Sequence, residues 1–394
     1  MGNVYLVIID GLGVGAQEDA HQYGDVGSNT FGHISSATQC HLPNFEKMGA
    51  GNIIPLDSIP PVVSPWAAFG KMREVSAGKD STTGHWEISG VILKQPFPTY
   101  PDGFPSEVVN KFCEGIGVEG VLANKPYSGT AVIADFGEEH LNSGRPIVYT
   151  SADSVFQVAC HTDVVPIKQL YEWCAYARKE VMIGEHGVGR VIARPFEGKP
   201  GSFERISDQR HDFSMEAPHP NLPAYLNKNG VKTYSIGKVI DLFAEKGFTQ
   251  YRRTSGNAEG IAQLLSAMSA MKDSENNFVF VNFIDTDQLY GHRNNPEGYA
   301  SCLEEIDRAM PAITSKLNPS DLLIITGDHG NDPTTESTDH AREFVPLLVY
   351  PVENANQMEL GIRGTFSDIA VSVSEYFGLQ HNFEGQSFVN TKNG

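Results

Sequence analysis

The sequence predicts an α/β protein with a doubly wound, mainly parallel sheet as its core and an inserted α/β cap domain. Short apolar runs, typical of strands buried on both faces, recur through both terminal parts of the 394-residue chain. Helical patterns alternate with these runs, as in folds that cover a parallel sheet on both faces. Two Pro-rich connections, near residues 100 and 218, flank a middle segment of different composition.

Local patterns then predict the individual elements. Strands are predicted at 4–9, 66–75, 147–150, 190–194, 231–236, 278–284, 322–326 and 345–350. Helices are predicted at 42–48, 106–113, 170–182, 257–271, 299–317 and 367–377, with a break at Pro311.

The composition narrows the class of protein. A net charge of −19 argues against nonspecific binding to nucleic acid or to an anionic membrane surface. No apolar run reaches the roughly 18 residues of a membrane-spanning helix. The first apolar run lacks a basic region and ends in Asp10, so it indicates a buried strand rather than a signal peptide. The five scattered cysteines form no CxxC pair, and we expect reduced thiols in a cytoplasmic protein without an obligate protein partner.

The loop after the first strand carries an ambiguous motif. Gly11, Gly13 and Ala16 satisfy the loose pattern GxGxxA of dinucleotide-binding turns. Against that interpretation, the polar residues 17–28 form no amphipathic helix, and no second strand ending in an acidic residue follows at the expected distance. The glycines are therefore interpreted as a tight loop that lets Asp10 point into a site at the strand end.

Acidic residues follow the carboxyl ends of three predicted strands. They are Asp10, Asp287 and Asp328, and the histidines His292, His329 and His340 come close behind. Parallel sheets place their ligands at the carboxyl ends of strands, so these side chains are expected to converge. Carboxylates with imidazoles suit Mn²⁺ or Zn²⁺ better than Ca²⁺. The pattern predicts a two-metal centre for activating a hydroxyl group and neutralising phosphoryl oxygens. A polar loop with hydrogen-bonded His and Asp is the alternative.

Three hydroxyl groups lie beside glycines in the segment 78–87, GKDSTTGHWE. Small hydroxyl residues in this setting suit a nucleophile at the start of a helix, where backbone N–H groups can hold a phosphate. The candidates are Ser81, Thr82 and Thr83. The alternative is a capping segment, in which Ser or Thr is the N-cap and Glu87 lies in the first turns.

Arginines are concentrated in the middle of the chain. Arg190 and Arg194 bound a predicted strand, and Arg205 and Arg210 follow soon afterwards. Guanidinium groups bind phosphate bidentately, so the concentration predicts a phosphate clamp, with a salt-bridged sheet edge as the alternative. Lys238, just past the strand at 231–236, is a further candidate for binding an anion.

Together these motifs resemble the bacterial phosphopentomutases, a family of the alkaline phosphatase superfamily. The matching segments are DGLGVG, GKDSTTGHWE, SADSV, GRVIARPF, RHDF, GKVID, DTDQLYGHR and GDHGNDPTTESTDHAREFVPLLVY. They extend from Asp10 to Tyr350, so the resemblance covers nearly the whole chain. It implies a core interrupted by a cap, which agrees with the two Pro-rich connections and gives a core at 1–99 and 219–394 and a cap at 100–218.

The resemblance also implies an activity. The family interconverts ribose 1-phosphate and ribose 5-phosphate, and the 2-deoxy pair, with two metal ions, typically Mn²⁺, and a phosphorylated threonine. Glucose 1,6-bisphosphate or another sugar bisphosphate is the expected activator, and small sugar phosphates are the expected partners. The alternatives are a phosphatase or a cofactor-independent phosphoglycerate mutase of the same superfamily, and a non-catalytic protein that binds metal and sugar phosphate.

Individual residues receive roles from the same resemblance. Thr83 would carry the phosphoryl group. One metal ion would be held by Asp10, Asp328 and His329 with Thr83, and the other by Asp287, His292 and His340. The substrate would be bound by Ser151, Asp153, Val155, Arg190, Ile192, Arg210 and Lys238. Asp285 and Asp339 are not ligands in the family, so they are expected to form hydrogen bonds to neighbouring ligands.

Overall fold

The chain folds into two compact units. The structure, a computed structural model, describes residues 2–151, 154–271 and 275–390. The first unit comprises Met1–Gln95 and Ala217–Gly394, and the second comprises Pro96–Glu216. No helix in the described ranges is long and apolar enough to cross a membrane.

The elements are numbered along the chain. The strands are β1 (Val4–Ile9), β2 (Ala68–Met72), β3 (Leu122–Pro126), β4 (Ile147–Thr150), β5 (Val155–His161), β6 (Arg190–Lys199), β7 (Ser202–Arg205), β8 (His211–Ser214), β9 (Lys232–Ile236), β10 (Gln250–Arg252), β11 (Asn277–Phe283), β12 (Leu322–Thr326), β13 (Val345–Tyr350) and β14 (Glu359–Arg363). The helices are α1 (Thr30–Thr38), α2 (Pro43–Met48), α3 (Ser81–Ile88), α4 (Ser106–Ile116), α5 (Gly129–Ser143), α6 (Ile167–Tyr176), α7 (Leu222–Lys228), α8 (Val239–Leu242), α9 (Asn257–Ala270), α10 (Pro296–Thr314) and α11 (Asp368–Tyr376).

The first unit contains an eight-stranded sheet with the order β10-β9-β11-β1-β12-β13-β2-β14. Only β13 runs antiparallel to its neighbours, β12 and β2, and the other pairings are parallel. The three central strands, β11, β1 and β12, are fully buried, as their continuous apolar runs predict. The predicted mainly parallel α/β core is confirmed. Because these three strands are parallel neighbours, their carboxyl ends lie at one edge of the sheet.

Alternate residues of the central strands explain why helices cover the sheet. Tyr5, Val7 and Ile9 of β1 belong to one large core, which also takes in apolar residues of α1, α2, α9 and α10. The neighbouring residues Leu6 and Ile8 are equally buried but point to the opposite face.

The predicted helix break at Pro311 is wrong. The helix α10 continues through Pro311 to Thr314. Proline lacks the N–H that would bond to the carbonyl group of Asp307, four residues earlier. Asn44 Nδ2 donates to that carbonyl oxygen at 3.0 Å instead. The backbone acceptor is therefore satisfied from another helix, and the helix has no need to end.

The second unit contains a mixed sheet with the order β3-β4-β5-β6-β7, and β8 pairs with β6. Helices α4 and α6 pack on one face, where Val148 and Val191 belong to their core. Helix α5 packs on the other face with Ile147 and Tyr149. The predicted helix at 170–182 begins earlier, as α6, and continues as a π-helical turn.

Candidate metal centre and nucleophile

Carboxylates and imidazoles from adjacent strand ends form a buried cluster. Asp10 follows β1, and Asp328 and His329 follow β12. Donor atoms of these three residues all lie within 4.8 Å of one another. Asp328 Oδ1 accepts a hydrogen bond from Gly11 N at 3.1 Å, which joins the ends of β1 and β12. Three donors at this spacing can hold one divalent cation.

A second group of donors shares His329 with the first. Donor atoms of Asp287, His329 and His340 also lie within 4.8 Å of one another. His292 is outside this set, but its Nε2 is 3.2 Å from Asp287 Oδ2. The ring centroids of His329 and His340 are 4.0 Å apart, so the two groups adjoin. The structure thus brings all six predicted metal-ligating residues into one neighbourhood.

Two carboxylate oxygens of the first group, Asp10 Oδ1 and Asp328 Oδ2, are buried and have no hydrogen-bond partner among residues 2–151, 154–271 and 275–390. Leaving such atoms unpaired in the interior costs free energy. Both atoms face His329 Nε2, at 3.3 and 3.4 Å, and Asp328 Oδ2 also lies 3.2 Å from His85 Nδ1. A bound cation would satisfy both oxygens, so the residues fit the metal that the strand-end pattern predicts.

Opposite charges set the pKa values in the cluster. Burial alone would lower the pKa of His329. The surrounding carboxylates, of which Asp328 has the largest effect, raise it more strongly, so the pKa of His329 lies well above its usual value. Burial acts to raise the pKa of Asp287, but the imidazoles around it, His340 foremost, outweigh it, and this pKa is lowered. The pKa of His340 is lowered by burial and by His329. The carboxylates therefore favour a positive charge at the position of His329.

Helix α3 begins against this cluster. Gly84 permits the close approach, because a Cβ atom there would lie 2.1 Å from the carbonyl oxygen of Asp328. The N-cap of α3 is Asp80, rather than the Ser or Thr of the capping alternative. Its Oδ1 accepts hydrogen bonds from the N–H groups of Thr82 and Thr83, at 3.0 and 3.2 Å. The cap therefore orients the first turn toward the metal-ligand candidates.

The candidate hydroxyl groups have different partners. Thr83 is fully buried, and its Oγ1 donates to Asp80 Oδ2 at 2.6 Å. Ser81 Oγ lies 3.1 Å from Nε2 of His329. Nothing in the sequence pattern singled out Asp80, although an acidic residue directly before a helix is a typical N-cap. The same carboxylate caps the helix and holds the hydroxyl group of Thr83.

Arg342 fixes the loop that leads to Asp80, and the sequence pattern gave it no role. Its side chain is 3% exposed, and Nη1 lies 3.0 Å from Oε2 of the buried Glu74. The guanidinium group also donates to the carbonyl oxygens of Glu74, Ser76 and Gly78 at 2.7 to 2.8 Å. A planar cation that binds three carbonyl groups holds this loop in one conformation.

The two acidic residues expected to support the ligands differ in their contacts. Asp339 Oδ1 accepts a hydrogen bond from the backbone N–H of His340 at 2.9 Å. Asp285 was expected to form a hydrogen bond to a neighbouring ligand, and among the described residues this expectation is wrong. Its carboxylate accepts the N–H of Asn257 at 2.7 Å, at the start of α9, and so fixes a helix rather than a ligand.

Two asparagines hold ligand carboxylates instead. Asn331 Nδ2 donates to Asp287 Oδ1 at 2.6 Å, and Asn282 Nδ2 donates to Asp10 Oδ2 at 2.8 Å. Asn331 was visible in the motif GDHGND, and Asn282 lies within the buried run FVFVNFI. A polar residue in an otherwise apolar strand was the available signal for Asn282.

Predicted substrate-binding residues of the second unit gather around Asp212. Arg210 donates to both carboxylate oxygens of Asp212, at 2.8 and 2.7 Å. Arg190 Nη1 lies 3.4 Å from Asp212 Oδ2. Ile192 pairs with Asp212 across β6 and β8, and Val155 pairs with Arg190 across β5 and β6.

The remaining predicted substrate-binding residues are placed separately. Ser151 directly follows β4, at the edge where β5 begins. Asp153 lies outside the described residues. Lys238 belongs to the first unit, where it precedes α8.

Comparison with known proteins gives one consistent family. The sequence model of the Metalloenzyme superfamily matches residues 2–381. A protein of Caldanaerobacter subterraneus subsp. tengcongensis named phosphopentomutase is 49% identical over 386 residues, which are 98% of this chain and 97% of that protein. Proteins of the same name from Dictyoglomus turgidum and Acetivibrio thermocellus are 48% identical over 391 residues and 46% identical over 390 residues. These alignments cover 99% of this chain, and 98% and 99% of the two proteins.

Proposed function

Because this chain belongs to the phosphopentomutase family within the Metalloenzyme superfamily, we propose that it interconverts ribose 1-phosphate and ribose 5-phosphate, and the 2-deoxyribose pair. It is an enzyme of the isomerase class that transfers a phosphoryl group. The observation that carries the proposal is the buried cluster of carboxylates and imidazoles beside the first turn of α3. A candidate hydroxyl nucleophile and a candidate cation site lie together there, and a phosphoryl transfer through an enzyme hydroxyl group can use both.

We infer that the cluster binds two divalent cations, with Mn²⁺ as the expected metal. Mixed carboxylate and imidazole donors suit this ion, and the unpaired oxygens of Asp10 and Asp328 favour a cation between them. When bound, such ions neutralise phosphoryl oxygens and lower the pKa of a coordinated hydroxyl group. One ion would be held by Asp10, Asp328, His329 and Thr83, and the other by Asp287, His292 and His340.

Thr83 would carry the phosphoryl group between two positions on the sugar. Phosphorylated Thr83 donates its phosphoryl group to the free hydroxyl group of a bound sugar monophosphate, which produces a sugar bisphosphate and frees Oγ1. The bisphosphate then returns its other phosphoryl group to Oγ1. Asp80, at 2.6 Å from Oγ1, orients the freed hydroxyl group for that return. Glucose 1,6-bisphosphate or another sugar bisphosphate would phosphorylate an enzyme that lacks the phosphoryl group.

The residues that would bind the sugar phosphate are those that the family resemblance implies. Arg190 and Arg210 supply guanidinium groups, and both already contact the carboxylate of Asp212. Such groups bind phosphate and sugar oxygens with fixed geometry. The full set is Ser151, Asp153, Val155, Arg190, Ile192, Arg210 and Lys238.

A coupled assay tests the proposal. It measures conversion of ribose 1-phosphate to ribose 5-phosphate with Mn²⁺, with and without a catalytic amount of glucose 1,6-bisphosphate. We expect isomerisation that requires Mn²⁺ and increases with the bisphosphate. Release of inorganic phosphate without an isomer would contradict the mutase and favour a phosphatase. A preference for phosphoglycerate would favour the other mutase of the superfamily.

A variant tests the nucleophile. Thr83→Ala should abolish isomerisation because it removes the only atom of this residue that can accept a phosphoryl group. It should leave two metal ions bound per chain, as measured by elemental analysis of the purified protein. Retained isomerisation would contradict the role of Thr83, and Ser81→Ala and Thr82→Ala would then identify the nucleophile.

A further inference from the structure

His85 is a fully buried histidine in the second turn of α3, and its side chain is 0% exposed. Its ring stacks on Phe280, with the ring centroids 5.5 Å apart and an interplanar angle of 19°. Nδ1 lies 2.9 Å from the carbonyl oxygen of Ser81 and 3.2 Å from Oδ2 of Asp328. One ring nitrogen therefore lies beside both the first turn of α3 and a candidate metal ligand.

The two oxygens near Nδ1 fix the tautomer of the ring. A carbonyl oxygen and an ionised carboxylate only accept hydrogen bonds, so Nδ1 carries a proton and donates it, at 2.9 Å, to Ser81. The other ring nitrogen, Nε2, is buried and has no hydrogen-bond partner within residues 2–151, 154–271 and 275–390. Leaving Nε2 unpaired costs free energy. The polar contribution of His85 in this part of the chain is therefore made by its Nδ1–H group.

The two carboxylate oxygens of Asp328 have different surroundings. Oδ1 accepts the N–H of Gly11 at 3.1 Å, which fixes one side of the carboxylate. Oδ2 accepts no hydrogen bond from the described residues, and it is the oxygen that faces His85. An oxygen that binds a cation with one lone pair keeps the other for a hydrogen bond, and such a bond fixes the direction of the carboxylate. The Nδ1–H group of His85 lies within reach to supply it.

This N–H group can serve Ser81 and Asp328 together. One N–H shared between two acceptors is common at helix termini. Gly84 brings the same part of α3 close to Asp328, since a Cβ atom at Gly84 would lie 2.1 Å from the carbonyl oxygen of Asp328. His85 thus joins Asp328 to the helix start that contains Thr83. One ring connects the candidate nucleophile with the candidate cation site.

We propose that His85 is a positioning residue, which orients the carboxylate of Asp328 toward a divalent cation through its Nδ1–H group. A protonated nitrogen has no lone pair for a metal ion, so Nδ1 acts on the cation only through Asp328. The inference rests on the metal centre of the proposed function, and it extends that centre to a residue outside the six candidate ligands. Replacing a partner of this kind typically lowers metal affinity by about 10- to 100-fold.

Calorimetric titration of the metal-free full chain with Mn²⁺ tests the positioning role. The first variant is His85→Phe, which keeps a flat ring against Phe280 and removes the N–H group. The affinity for one of the two Mn²⁺ ions should fall by about 10- to 100-fold. The ion assigned to Asp287, His292 and His340 should keep its affinity. Unchanged affinity for both ions would overturn the role of His85.

His85→Asn separates the N–H group from the packing of the ring. The amide nitrogen of asparagine lies the same number of bonds from the backbone as Nδ1 and also donates. Asparagine is smaller and leaves a cavity beside Phe280, so this variant should melt at a lower temperature than His85→Phe. Its affinity for Mn²⁺ should nevertheless exceed that of His85→Phe by about tenfold. A packing role predicts the opposite order, so equal or reversed affinities would overturn the role of the N–H group.

His140→Phe is the matched control for replacing a buried histidine. His140 in α5 is also 0% exposed, and its Nδ1 donates to the carbonyl oxygen of Arg145 at 2.7 Å. It belongs to the second unit, whereas all six candidate metal ligands belong to the first. This variant should bind both Mn²⁺ ions as the unaltered protein does. A loss of affinity equal to that of His85→Phe would attribute the effect to general damage and overturn the positioning role.

The titrations separate the role of His85 from the proposed function. Selective loss of affinity for one ion in His85→Phe, in a protein that performs no isomerisation, would support the positioning role and contradict the function. Isomerisation that requires Mn²⁺, with unchanged Mn²⁺ affinity in His85→Phe, would support the function and overturn the role. Absence of Mn²⁺ binding in the unaltered protein would contradict both.

Discussion

Replacing Asp80 by Asn separates two roles of one carboxylate. Oδ1 caps α3 by accepting the N–H groups of Thr82 and Thr83, and Oδ2 accepts the hydroxyl group of Thr83 at 2.6 Å. Asparagine is an equally good N-cap, so its side-chain oxygen can keep the backbone hydrogen bonds. Its amide nitrogen only donates and cannot accept the Thr83 hydroxyl. The substitution therefore alters the hydrogen bond of the proposed nucleophile and preserves the cap.

The hydrogen bond between Thr83 and Asp80 sets the expected size of the effect on rate. A hydrogen bond to a charged group contributes about 1.5 to 3 kcal/mol. Losing it from the step in which Thr83 Oγ1 accepts a phosphoryl group would slow that step by about 10- to 150-fold, at about 1.4 kcal/mol per factor of ten. Asp80 is half-buried, so we expect the lower part of this range. Stability should change by less than about 0.5 kcal/mol because the cap persists.

The assay is phosphorylation of unphosphorylated enzyme by glucose 1,6-bisphosphate, followed by intact-protein mass spectrometry. Asp80→Ser is the matched variant, because serine also caps a helix but has a single oxygen for both roles. Both variants should be slow and should melt near the temperature of the unaltered protein. Equal phosphorylation rates in Asp80→Asn and the unaltered protein would refute the orienting role of Asp80. A slow rate together with a large fall in melting temperature would attribute the effect to a damaged cap.

Three further predictions concern the metal, the pH dependence and α10. Chelation should abolish isomerisation and lower the melting temperature, and Mn²⁺ should restore both. The reason is that an ion at 100 times its Kd stabilises the folded state by about 2.7 kcal/mol. An unchanged melting temperature would contradict the buried cluster as the metal site. Burial raises the pKa of Glu343 from 4.5 to about 7, so the folded state binds this proton more tightly than the unfolded chain does. Ionising Glu343 should therefore reduce the free energy of unfolding by roughly 3 kcal/mol as pH rises from about 4.5 to 7. In urea-denaturation measurements, Glu343→Gln should remove that fall. A fall of the same size in the variant would refute the assignment to Glu343. Asn44→Ala should destabilise the protein by roughly 2 kcal/mol in urea denaturation, because the carbonyl and carboxylate oxygens of Asp307 lose the hydrogen bonds of the Asn44 amide. A change below about 0.5 kcal/mol would show that water replaces Asn44.

The convergence of the strand-end acids was predictable because it needs only local information and one topological rule. Asp10, Asp287 and Asp328 each follow a continuous apolar run, which identifies a buried strand. Parallel strands in one sheet present their carboxyl ends at the same edge, whatever the order of the strands. The observed neighbours β11, β1 and β12 satisfy that rule. The sequence pattern therefore located the cluster without knowledge of the strand order.

Other features depended on contacts between distant parts of the chain. Arg342 binds the carbonyl group of Gly78 across 264 positions, and no local pattern around either residue indicates the other. The continuation of α10 through Pro311 depends on Asn44, 263 positions before Asp307. Proline breaks a helix only when the freed carbonyl group lacks a new donor. Such donors come from tertiary packing, so local patterns gave Arg342 no role and placed a break at Pro311.

Two carboxylates explain how the short helix α3 keeps its position at the cluster of candidate metal ligands. Glu87, near its end, is fully buried and accepts hydrogen bonds from the N–H groups of Val75, Ser76 and Phe366. Burying such a carboxylate is costly, and apolar packing is often at least as stable. Apolar contacts, however, tolerate small displacements, whereas three N–H donors on one carboxylate fix both distance and direction. With Asp80 at the other end, α3 is held by directional bonds at both termini. The proposed phosphoryl acceptor, Thr83, would need that accuracy, because a displacement of about 1 Å can cost about a hundredfold in rate.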